Sequence, residues 1–203
     1  MIRRILIWDA PTRVFHWVQA LAFGVAYYTS DSEKYRDIHI AFGYIMLGLI
    51  VFRLLWGFIG TRYARFTSFL FKPGEIITYL ISLARRKPEH YLGHNPAGSL
   101  SVWLLLALGL FLGVTGVMAL QDDASDAVIE MHGLATDIML VVVALHIAGV
   151  FVSSMLHREN LVRSMITGFK PSESATGIPQ GYNWLGALML VVVVAFGVVY
   201  LQT

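Results

Sequence analysis

Five stretches of this chain, about Thr12 to Tyr28, Ile38 to Ile59, Gly98 to Leu120, Met131 to Leu156 and Trp184 to Leu201, are almost continuously apolar. A helix needs ~17–25 such residues to approach or cross a bilayer core. Helices of this kind satisfy their own backbone hydrogen bonds in lipid, so the expected fold class is an all-α integral membrane protein. Composition agrees: 57% of the 203 residues are hydrophobic, 14% are charged and the mean hydropathy is +0.65. A soluble domain of this size would need a larger polar shell.

Basic residues near membrane helices stay on the cytoplasmic side. Twelve Lys and Arg residues flank the N-terminus and the second and fourth connections, whereas the first connection has only Lys34 and Arg36 and the third has none. With five spans, this bias expects a cytoplasmic N-terminus and a periplasmic C-terminus. The opening MIRRILIWDAPTRVFHW lacks the apolar core and cleavage site of a signal peptide, so the first segment is expected to persist. Residues 73–86 carry apolar positions at helical spacing and end in two arginines, which expects an amphipathic helix along the inner face. Residues 170–183 read as a linker, and Thr12 and Asp37 as N-caps.

The chain has no cysteine. This excludes disulfides, thiolate metal sites and covalently attached haem. The net charge of +2 is too small, and the basic residues too scattered, for a nucleic-acid groove.

Four of the seven histidines, His16, His39, His132 and His146, lie in apolar segments. Intramembrane ionisable residues lean functional, although a single one is more often a packing residue. His132 and His146 are 14 residues apart on one segment, which separates them by about 40° in rotation and ~21 Å in rise. They therefore share a face at two depths, His132 outer and His146 inner. The first segment starts inside, so His16 is at the inner depth; the second starts outside, so His39 is at the outer. Depth expects the pairs His16/His146 and His39/His132. Two imidazoles facing across a bundle are what six-coordinate haem iron requires, and a filled axial shell suits electron transfer better than oxygen activation. A zinc site normally gathers three or four ligands at one place.

The segments WDAPTRVFHW, HIAFGYIMLGLIVFRLLWGFIG, GHNPAGSL and HIAGVFVSSMLHRENLVRSMITG resemble the bacterial cytochrome b561 family, which includes the b-type cytochrome subunits of nickel-iron hydrogenases. The similarity covers about Ile7 to Gly168. It implies a four-helix transmembrane core binding two haems b through His16, His39, His132 and His146, with the fifth span as a C-terminal extension. The expected domains are residues 1–169, the linker 170–183 and a last helix at 184–203. The resemblance also implies a bacterial inner-membrane carrier that moves electrons between quinone and a c-type cytochrome or respiratory enzyme subunit. Dimerisation is left open. Two other readings remain: a membrane anchor for an enzyme such as a hydrogenase, docked through the acidic segment Gln121 to Glu130, and a histidine-based metal transporter.

Arg53, 14 residues after His39, should approach the inner depth, where it would either pair with a haem propionate or snorkel to the surface. Arg13, beside His16, has the same two readings. His157 is the main rival ligand but reads as interfacial; His90 and His94 read as a polar surface loop rather than as contacts for a haem propionate or quinone headgroup; and Asp137 reads as either a proton relay or a solvated carboxylate. Gly109, Gly113 and Gly116 expect close helix packing. Tyr27, Tyr28, Trp56, Trp103 and Trp184 read as an aromatic belt.

Overall fold

A computed structural model describes residues 3–172 and 176–202. The order of elements is β1 (Arg3–Leu6), α1 (Ala10–Thr29), α2 (Arg36–Ile59), α3 (Pro73–Ala84), α4 (Pro96–Ala119), α5 (Asp126–His157), α6 (Leu161–Thr167), β2 (Phe169–Ser172) and α7 (Asn183–Tyr200). Among the described residues, four helices are long and apolar enough to cross a membrane: α2 with the short 3-10 turn before it, α4, α5 and α7. The 20 residues of α1 are long enough too, but Thr12, Arg13, His16 and Gln19 make its first half more polar.

One core joins these five helices. Ala22, Phe23 and Ala26 of α1, Ile45, Met46 and Leu49 of α2, Leu112 of α4, Ala135 and Met139 of α5 and Met189 of α7 are buried together. Close approach of α4 to α2 depends on glycine, since a Cβ at Gly113 would lie 2.6 Å from Leu47 Cδ1 and one at Gly109 2.9 Å from Ile50 Cδ1. The packing expected of these two glycines is present.

The helix starts differ from the sequence expectation. Asp9, not Thr12, caps α1, its Oδ1 accepting from Thr12 N at 2.7 Å. Asp37 lies inside the first turn of α2, where a carboxylate still favours the helix dipole. Helix α5 begins at Asp126, five residues before the apolar run, so its first turn is helical without being continuously apolar. Helix α3 fills most of the amphipathic segment; Tyr79 is buried while Ile77, Leu80 and Ile81 are exposed.

The end of the bundle where α1 begins carries a cap that periodicity does not reveal. Residues 170–172 of the expected linker are strand: β2 pairs antiparallel with β1, Arg3 opposite Ser172 and Leu6 opposite Phe169. Residues 173–175 lie outside the described residues. Ile7 and Trp8 both donate to Gly168 O, at 2.8 and 3.1 Å. Gly168 has φ +86°, and a Cβ there would stand 2.6 Å from Trp8 O, so this junction needs glycine. Glu159 ties the cap to neighbouring loops, with Lys170 Nζ at 3.3 Å and His90 Nε2 at 2.9 Å. Trp56 and Trp103 belong to packed layers rather than to a belt: Trp56 is 7% exposed, and Trp103 lies against Phe66 with centroids 4.7 Å apart. Tyr28 and Trp184 are exposed, as a belt requires.

Candidate functional site

His39, in the first turn of α2, and His132, in the second turn of α5, face each other with ring centroids 6.3 Å apart. Each ring is held through Nδ1. His39 Nδ1–H donates to Ala26 O at 2.8 Å. Thr115 Oγ1 donates to Phe111 O at 2.8 Å, and so accepts from His132 Nδ1–H at 3.0 Å. This bonding selects the tautomer whose Nε2 lone pair is free in both rings, the second-shell arrangement common to metal-bound histidine. Two imidazoles on opposite sides of one metal ion, with metal–nitrogen bonds of about 2 Å and each ring centre about 1.2 Å beyond its nitrogen, would have centroids about 6.4 Å apart.

These rings line a cavity of about 830 Å3 between α1, α2, α4 and α5. Small-molecule and cofactor pockets span roughly 300–1,000 Å3. Gly43, one turn beyond His39, and Gly133, beside His132, both line it, and a Cβ at either would meet no atom within 4 Å. A Cβ at Gly116 would come 3.3 Å from His132 Cε1, so this glycine gives the imidazole its room. Arg36, Glu33 and Asp31 stand at the mouth, and Asp137 lines the wall. Asp137 is thus exposed on the cavity and lies well inside α5 rather than at its start. The donor set and the open glycines fit a haem. Gly43→Phe would occupy the plane beside His39, and it is expected to abolish haem at this site while leaving the other, as haem quantification of the purified variant would show.

The second pair is His16 of α1 and His146 of α5, with centroids 6.4 Å apart. His16 Nδ1 is buried without a hydrogen-bond partner among the described residues, as are both amide atoms of Gln19, one turn further along. A Cβ at Gly149, three residues after His146, would meet nothing within 4 Å.

Beside this pair is a buried cation. Arg53 is 2% exposed, so it does not snorkel. Its Nη2 donates to Ala64 O at 3.0 Å, its guanidinium lies 5.2 Å over the Phe66 ring and 5.8 Å over Phe69, and Nη1 has no partner. His94 is not a surface residue either. Its ring sits 4.8 Å from Trp8 and 4.5 Å from Phe69, and its buried Nδ1 lacks a partner. Burial, reinforced by the charge of Arg53, pushes the His94 pKa down to about 3, so it meets a neighbour as a neutral donor. A buried cation and a neutral donor, each with an unused N–H, fit the carboxylate of a haem propionate. His90 keeps a half-exposed side chain and packs on His157, centroids 5.2 Å apart. Arg13 Nη1 donates to Ile166 O at 2.6 Å.

Sequence reasoning missed Asp9, Gln19 and Thr115. A glutamine in an apolar segment is a visible signal, since burying its amide without partners is costly. Thr115 gives none, because hydroxyls on apolar helices usually bond their own backbone.

The model of the prokaryotic cytochrome b561 family matches residues 7–168. A probable Ni/Fe-hydrogenase B-type cytochrome subunit from Rhizobium leguminosarum bv. viciae is 24% identical over 213 aligned positions, covering 81% of this chain and 87% of that protein. The protein of the same description from Azotobacter vinelandii is 25% identical, covering 82% and 88%. A probable Ni/Fe-hydrogenase 1 B-type cytochrome subunit from Escherichia coli K12 is 26% identical, covering 60% and 63%. No solved structure matches.

Proposed function

This chain belongs to the prokaryotic cytochrome b561 family, and from that premise we propose that it is a diheme electron carrier linking a hydrogenase to the quinone pool. It is a multi-pass membrane protein of electron transport, and the family implies haem b. The observation that carries the diheme reading is the spacing of the two histidine pairs, 6.3 and 6.4 Å between centroids, each matching two imidazoles on one iron.

Bound haem b would supply a one-electron ferric/ferrous couple, and His16, His146, His39 and His132 are the residues that would hold it. His39 and His132 present Nε2 because Ala26 O and Thr115 Oγ1 hold their other nitrogens. Arg53 and His94 would receive a propionate at the inner site, and Arg36 would offer a cation beside the outer one. Apolar residues of α1, α2, α4, α5 and α7 form the core between these helices, and low-polarity surroundings raise the leverage of these few charges.

We take α1 as the fifth span, a reading supported by its second half sharing the core of the other four, and the basic bias supports a cytoplasmic N-terminus. The relatives' descriptions support a hydrogenase partner. Asp122, Asp123, Asp126 and Glu130, near the outer pair, give that partner or a c-type cytochrome an acidic contact surface.

Detergent-purified protein tests the reading. A low-spin b-type spectrum, oxidised and dithionite-reduced, with two haems per chain by pyridine haemochrome is expected; a folded, haem-replete preparation holding one haem or none would refute it. Removing a buried cation beside an iron favours the oxidised state. Arg53→Gln is therefore expected to lower one of the two midpoint potentials by on the order of 50 mV and to leave the other in place, as redox titration would show.

A further inference from the structure

In the outer pair, Ala26 O engages Nδ1 of His39 and Thr115 Oγ1 engages Nδ1 of His132. At the inner pair, Nδ1 of His16 is buried with no partner among the described residues. We propose that Gln19 supplies the missing acceptor: with the inner haem bound, Gln19 Oε1 takes the hydrogen of His16 Nδ1, holds the ring and lowers the potential of that haem. The proposal rests on the diheme reading above and adds to it a positioning residue that sets one of the two potentials.

The two side chains are chemically complementary. Gln19 is 9% exposed, and its Oε1 and Nε2 are both buried without a partner among the described residues. An amide stranded in this way is costly, where leucine in the same place would carry no such penalty. While Nε2 of His16 faces a metal, Nδ1 carries a hydrogen and can only donate; the amide oxygen can only accept. The residues are three apart on α1, which places their Cβ atoms about 5–6 Å from each other. Side chains on a helix lean toward its N-terminus, and this carries the Gln19 amide back over His16. The bond would satisfy two of the three stranded atoms. The third, Nε2 of Gln19, lies on the α4 side, 3.9 Å from where a Cβ at Gly109 would stand.

Thr12 Oγ1, one turn before His16, is the rival acceptor, since it too is buried without a partner. Its backbone is pinned by Asp9, which accepts from Thr12 N at 2.7 Å, and its β-branched side chain has one stiff torsion. A hydroxyl not already bonded to His16 therefore stays out of reach, whereas the longer glutamine side chain can turn to meet the ring. An acceptor at the far nitrogen makes imidazole a more basic ligand, which favours ferric over ferrous iron.

Redox titration of the purified, haem-loaded protein, followed in the visible spectrum, tests this with Gln19→Leu, Gln19→Glu and Thr12→Val. Gln19→Leu should keep two low-spin haems and raise one midpoint by the equivalent of about a tenfold change in the reduction equilibrium, about 59 mV for one electron. Added to His132→Ala, which should keep only the inner haem, Gln19→Leu should produce the same rise. Gln19→Glu retains an acceptor oxygen and should leave that midpoint at or below its wild-type value. Thr12→Val should move neither midpoint. Unshifted potentials in Gln19→Leu, a rise of the same size in Gln19→Glu, a rise missing from the His132→Ala background, or a shift in Thr12→Val alone would overturn the role of Gln19 and leave the diheme reading standing. Loss of the inner haem from both Gln19 variants would mark Gln19 as packing and overturn the proposal as well. A folded, haem-replete wild type with fewer than two haems would overturn both.

Discussion

His39→Ala and His132→Ala are each expected to lower haem content from two per chain to about one, with the remaining haem spectrally low-spin. The reason is the geometry of the outer site. Its two rings approach from opposite walls of the 830 Å3 cavity, and no other histidine lines that cavity to replace either of them. The loss should be selective, because the inner pair draws on His16 and on His146, which lies ~21 Å from His132 along α5. Absorbance of the reduced protein and pyridine haemochrome content check this. Retention of two low-spin haems in either variant would remove the outer pair from the account.

Asp9→Ala is expected to cost about 3–5 kcal/mol, the largest effect on stability of any side chain away from the histidines. Asp9 is 1% exposed and serves three donors. Its Oδ1 caps α1 through Thr12 N, while Oδ2 accepts from Trp56 Nε1 at 3.1 Å and Thr61 Oγ1 at 2.5 Å. Alanine removes a cap worth about 0.5–2 kcal/mol and strands two buried donors at about 1–3 kcal/mol each, terms that overlap and do not sum in full. Because Trp56 belongs to the last turn of α2 and Thr61 to the loop after it, the bond set pins the start of α1 to the end of its neighbour. The temperature of half-unfolding, followed by circular dichroism in detergent, should fall by about 6–15 °C. Asp9→Asn, which keeps the oxygen that caps α1, should lose less; an unchanged midpoint in Asp9→Ala would show that the capped junction does not limit stability.

The parts of this molecule that follow one period are legible in its sequence. Apolar length marks four of the spans, and a fixed rise and turn per residue show which histidines share a depth, so the rings of His16 and His146, and of His39 and His132, stand opposite one another as the spacing requires. What is not periodic is not legible. His94 and Arg53 lie near segment ends, where the choice between surface and interior depends on how the loops fold back; Phe69, wholly buried between them, settles it through contacts distant in sequence. The β1–β2 pairing joins residues about 165 apart and carries no turn signal at either partner. Asp9 reads as one acid in a short loop, and its importance arises only when Trp56 and Thr61 reach it.

We propose that His16 shares one iron with His146 and that His39 shares the other with His132. Double alanine variants test it most directly, by haem content per chain. The account predicts that His16→Ala/His146→Ala and His39→Ala/His132→Ala each keep one haem, whereas His16→Ala/His39→Ala and His132→Ala/His146→Ala keep none. A folded cross-pair variant that still holds a low-spin haem would contradict it.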